Sequence, residues 1–193
     1  MTETLTAYHS DKKVKAGLLR RITAHTKADR LTQGTYGAYN GAWRGCAVSC
    51  SLADAKGMLD GESVTDGLHH RYPDLLGIPE WLAYLEDGIF ENLPAEQATD
   101  WPHRFASAIP VGAQFDGLAD RLAIRRLREE CLPLSGEWPE SIRADVVAAI
   151  EQVIAALEGK GDRSAARSAA RSAARSAAES AAWAAARSAA ESA

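Results

Sequence analysis

Cysteine is scarce in this chain of 193 residues. Three thiols, an odd number, argue against a disulfide scaffold and predict reduced cysteines in a cytoplasmic protein. No window approaches the roughly 18 consecutive apolar residues a membrane span needs, so no membrane partner is expected. The polar opening, residues 1–10, lacks the basic start and apolar run of a secretory leader. Positive charge is also short. The stretch from Arg163 carries five Arg against two Glu, or +3; the whole chain is −4, so the part before it is −7. Nucleic-acid binding, whose footprint is a basic patch, is therefore not expected. Period-two alternation is absent, which leaves no basis for a sheet. P-loop, Rossmann, H-E-x-x-H and G-x-S-x-G patterns are absent too, so the sequence names no cofactor and no metal site.

What is present has helical spacing. Ser10-Asp11 reads as a helix start, with Val14, Leu18, Leu19, Ile22 and Leu31 in register to about Thr32. Pro79 suits a first helical position, and Trp81, Leu82, Leu85, Ile89, Phe90 and Leu93 form an apolar face that Pro94 closes. Asp100, Leu118 and Pro139 open further helices, the last with Ile142, Val146, Ile150, Val153, Ile154 and Leu157 turned inward. The expected fold class is all-α: a helical globular domain over 1–161, then an Ala-rich helix over 162–193 capped by Asp162.

That last helix is one tetrapeptide repeated, Arg-Ser-Ala-Ala, with Glu179, Trp183 and Glu191 replacing the Arg. Four residues advance a helix by about 400°, so each Arg lies about 40° beyond the one before and the row winds around the rod. Ala favours helix, yet the repeat has no large apolar stripe. It is expected to pack on itself, on a neighbour or on nothing. The favoured reading is helix–helix association, between protomers as a homo-oligomer or back onto the acidic body, with Trp183 as the one large apolar anchor.

Candidate chemistry gathers before residue 51. Gly34, Gly37, Gly41 and Gly45 permit close backbone approach, while Tyr36, Tyr39 and Trp43 can stack on a flat ligand. A helix starting at Cys46 would lower its thiol pKa and attract an anion. Cys50 stands four residues on, on the same face, and a single C-x3-C pair is a weak zinc signal. His25 and Asp29, four apart, can meet on the first helix. The leading expectation is a binding protein that sequesters a small anionic or nucleotide-like molecule. Its ligand-binding residues would be Tyr36, Tyr39, Trp43, Gly45, Cys46, Cys50, His9 and Glu86. The alternative is a cysteine-dependent enzyme, with Cys46 as nucleophile, His25 as base and Asp29 orienting the imidazole. Of the carboxylates Glu86 and Asp87, at most one can lie on the apolar face, and His69-His70 is read as surface loop.

Several segments carry a resemblance: Tyr8-His9-Ser10-Asp11, His25 with Asp29, Gly45 through Cys50, Leu76-Gly77-Ile78-Pro79, Leu82 through Asp87, Ile89-Phe90-Glu91 and Trp101-Pro102. Together they resemble a group of hypothetical proteins from bacteria and their phages, some of which carry similar Ala-rich tails. Ser49 stands where that group usually has Gly. The resemblance implies a bacterial or phage origin and no particular activity.

Overall fold

The computed structural model describes residues 4–191, and their side chains as far as Glu179. It is mostly helical, with two small two-stranded sheets. Among the described residues no helix is long and apolar enough to cross a membrane. The chain divides into two compact units, Met1–Phe115 and Asp116–Ala193, so the boundary expected at 161–162 falls inside the second unit.

In the first unit a left-handed turn, with Tyr8, His9 and Ser10 all at positive φ, leads into α1 (Lys12–Lys27). Asp11, not Ser10, is the cap: its side chain accepts from the Lys13 amide at 2.7 Å. The helix stops five residues before the spacing predicts. Asp29 takes the left-handed conformation (φ 53°), its amide donates to the Thr26 carbonyl, and the Arg30 amide donates to the His25 carbonyl at 3.0 Å. That is the paired-bond ending usually built on glycine, here built on aspartate.

The expected loop from Gly34 to Gly45 contains a hairpin, β1 (Gly37–Tyr39) with β2 (Trp43–Gly45), and a second follows, β3 (Met58–Leu59) with β4 (Glu62–Ser63). Between them lies α2 (Ala47–Leu52), opening at Cys46. Every residue of α2 is buried, and α1, α4 (Glu80–Asn92) and α6 (Trp101–Ala108) all pack against it. The sequence Ala-Val-Ser-Cys-Ser-Leu suits this place because small side chains let three neighbours approach one short helix. A Cβ at Gly45 would collide with the Ser49 hydroxyl, and one at Gly57 with the Trp43 ring. After a turn at His69–Arg71 and α3 (Tyr72–Leu76), α4 buries Leu82, Ala83, Glu86 and Phe90; α5 (Ala95–Ala98) connects it to α6.

The second unit comprises α7 (Leu118–Arg126), α8 (Glu140–Leu157) and α9 (Arg163–Glu191). α7 runs on into a π-helical turn at Leu127–Cys131, where the Leu132 amide reaches the Leu127 carbonyl at 2.9 Å. Cys131 is half-buried there. Gly159, at φ 75°, ends α8, and Asp162 accepts from the Ser164 amide at 2.8 Å to start α9.

α9 packs along α8, burying Ala166 and Ala173. These occupy the fourth and the third place of their tetrads. The reason is the drift: after two tetrads the fourth place has rotated about 80° off the contact face, and the third place comes onto it. Since every place except the first holds Ser or Ala through Ala178, the contact stripe stays small-sided wherever it falls. Trp183 lies outside the residues whose side chains are described.

Candidate functional site

The helical spacing of α4 sets two faces apart. Glu86 and Phe90 turn into the core, whereas Tyr84, Asp87 and Glu91, at i, i+3 and i+7, share another face. The segment after α1 is fastened to the C-terminal end of this helix. The Phe90 carbonyl would take its helical bond from residue 94, but Pro94 has no amide proton. The Gln33 side chain supplies the missing donor at 2.6 Å and reaches the Leu93 carbonyl at 2.9 Å as well. The Gly34 amide then donates to Glu91 Oε2 at 2.6 Å. The result is a cavity of about 250 Å³ lined by Gly34, Thr35, Tyr36, Asp87 and Glu91.

His69 stands beside it, only 4% exposed, with Nε2 2.9 Å from Asp87 Oδ2. Its ring stacks on Tyr84, with centroids 4.1 Å apart and planes 8° from parallel, and meets the Tyr36 ring edge-on at 6.1 Å. Tyr36 and Tyr84 are themselves 49% and 57% exposed, so the two flanking rings offer aromatic surface to solvent. A buried imidazole held by a carboxylate and two rings has few rotamers left, which preorganises Asp87. The other Asp87 oxygen, Oδ1, is buried without a hydrogen bond of ordinary geometry, and the Cys46 thiol lies close enough to Asp87 for the two to interact.

Behind Asp87 lies a sealed polar layer. Burial pushes the Cys46 thiol up to about 12; the Ser49 backbone opposes this, and the Asp87 charge adds to it. Burial likewise raises Cys50, which the neighbouring Cys46 reinforces and whose thiol donates to the Gly45 carbonyl at 3.4 Å. The thiol-lowering effect expected of a helix start is thus overridden by desolvation. α2 has only six residues, all buried, and presents no open anion seat. Glu86 accepts from the Tyr72 hydroxyl at 2.7 Å, and burial pushes its carboxyl up to about 8, so it is largely neutral at physiological pH.

The structure gathers some of the sequence candidates and disperses others. Tyr36 lines the cavity, and Cys46 and Glu86 lie in the layer behind it. Tyr39 is exposed, its hydroxyl bonded to the Lys56 carbonyl. Trp43 is buried against His25, ring centroids 5.5 Å apart and nearly perpendicular. Gly45 closes on Ser49, and His9 reaches the Asp74 carbonyl at 3.1 Å from an exposed turn. His25 and Asp29 do not meet, because the helix ends between them. Asp29 is exposed and pairs with Arg44 at 3.0 Å, while both His25 ring nitrogens are buried without partners. Burial lowers the His25 pKa, and Arg30 lowers it further. No hydrogen bond joins His25 to Cys46 among the described residues. His69, read as surface loop, is instead buried at the site, whereas His70 is exposed.

Asp87, Glu91 and Tyr84 could have been singled out by the same i, i+3, i+7 count that located the apolar face. His69 could not, because only tertiary packing brings it to Asp87. Among the described residues no group of three or more His, Cys, Asp or Glu side chains is placed to hold a metal ion. Comparison of the chain with protein-family models, curated proteins and solved structures returns no match.

Proposed function

We propose that this chain is a binding protein for a small organic molecule, held in the cavity between the Gly34–Tyr36 segment and α4. The observation that carries this reading is the buried His69–Asp87 pair at 2.9 Å beside a cavity of about 250 Å³. Ligand sites combine concavity, aromatic walls and a few fixed polar groups, and a volume just below the usual range of about 300–1,000 Å³ suits a compact ligand. The sealed thiols favour binding over nucleophilic chemistry, since a thiol at about 12 is almost wholly protonated at neutral pH. All three cysteines are free thiols, which supports a cytoplasmic location. A fragment screen read by amide shifts tests the site. Shifts clustered at Gly34–Tyr36 and Asp87–Glu91 are expected; hits clustering elsewhere would refute it.

Self-association through residues 162–193 is a second reading. An apolar groove lined by Leu127, Val146, Ile150, Val153, Ala174 and Ala177, among others, supports it. Sedimentation of the full chain against a chain stopped at Gly161 decides it, and equal association states would remove it.

A further inference from the structure

We infer that the cavity between Gly34–Tyr36 and α4 takes a ligand bearing a compact positive charge, an ammonium or guanidinium, joined to a flat or aromatic body. The inference rests on that cavity being the binding site and adds the chemistry of its occupant. The lining holds two carboxylates, Asp87 and Glu91, beside the Tyr36 phenol, and no lining residue is basic. The one backbone donor seen there, the Gly34 amide, is spent on Glu91 Oε2. Asp87 Oδ1 is buried with no hydrogen bond of ordinary geometry, the Cys46 thiol being close to Asp87 on its inner side, and Glu91 has one oxygen engaged by the Gly34 amide. A buried acceptor without a donor is costly, and a ligand N–H group reaching Asp87 would remove that deficit. Asp87 and Glu91 also sit in the last two turns of α4, where the helix carries its partial negative charge. Tyr36 and Tyr84 supply ring faces that attract cations and stack on flat groups. An anion would meet two carboxylates near a helix C-terminus with no basic residue in the lining, so the anionic ligand that the glycine-rich segment suggested does not suit this cavity.

The test uses the full chain, titrated calorimetrically and by amide shifts with tyramine, agmatine, p-cresol and AMP. At least one of tyramine and agmatine should bind and shift Gly34, Tyr36 and Glu91. p-Cresol, the uncharged counterpart of tyramine, should bind about tenfold more weakly, and AMP should not compete. Glu91→Gln keeps the acceptor for the Gly34 amide but removes the charge, and should weaken the cation about tenfold with an unchanged melting temperature. Tyr36→Ala, at an exposed ring, gives an independent loss of affinity that does not depend on folding of the core. If p-cresol or AMP shifts the same residues as strongly as the cations, the charge assignment fails while the site stands. If no probe shifts them at millimolar concentration, both fail.

Discussion

The two units of this protein are held together in opposite ways. In Met1–Phe115 nearly every buried contact is particular: Trp43 fits over Gly57, Ser49 against Gly45, Tyr72 on Glu86, His69 between Asp87 and Tyr84. In Asp116–Ala193 α9 brings only interchangeable small residues to its contact with α8, and the buried place migrates through the tetrad as the helix drifts. Large, unlike side chains specify one arrangement and can leave a shaped cavity. Uniform small ones tolerate shifts of register and specify little. The proposed ligand cavity falls in the first unit.

Thiol reactivity should show the contrast most strongly. At neutral pH in the native protein, Cys131 in the second unit should alkylate roughly a hundredfold faster than Cys46 or Cys50, which are sealed and held protonated. Mass-spectrometric mapping of early adducts checks this, and first modification at Cys46 would restore the nucleophile.

Trp43→Ala should cost about 3–5 kcal/mol by urea denaturation, because a fully buried ring leaves a cavity lined by His25 and Gly57. A loss under about 1 kcal/mol would mean that packing in the first unit is as permissive as in the second.

Glu86 sharpens the same point through pH. Its folded pKa, about 8, lies above the ordinary 4.5. Between those values the unfolded chain has released the proton and the folded chain has not, so stability falls as pH rises, by about 1.4 kcal/mol per unit from this group. Glu86→Gln should remove that slope. His25 acts in the other direction: its folded pKa is depressed, so its contribution is present above the ordinary value of 6.5 and lost as pH falls toward the lowered one. Identical pH profiles for wild type and Glu86→Gln, measured by denaturation from pH 5 to 8, would contradict a buried neutral carboxyl.

The smallest effect is expected from deleting one whole tetrad, Arg167 through Ala170. The following repeats refill the α8 contact with the same residue types, so stability should change by no more than about 1 kcal/mol. Removing Leu82 through Leu85 from α4 should instead abolish the fold, since it displaces Glu86, Asp87 and Phe90 together. Circular-dichroism melts compare the two.

These contrasts also explain what was legible in the sequence. Helical spacing and caps locate the longer helices, because Pro79, Pro94, Pro139 and Asp162 act through local backbone chemistry. The hairpins were not visible, since strands of two or three residues cannot show alternation. The end of α1 misled because an aspartate filled a place usually given to glycine, and this separated His25 from Asp29. Cys46 does open a helix, but local sequence does not report that three helices bury it. The site depended on a long-range pairing, His69 with Asp87, that no spacing rule reaches.

The most direct measurement is an experimental structure of the full chain grown with tyramine. The amine nitrogen should lie within hydrogen-bonding distance of Asp87 or Glu91, with the phenol ring against Tyr36 or Tyr84. An amine turned to solvent, or a ligand seated away from α4, would contradict it.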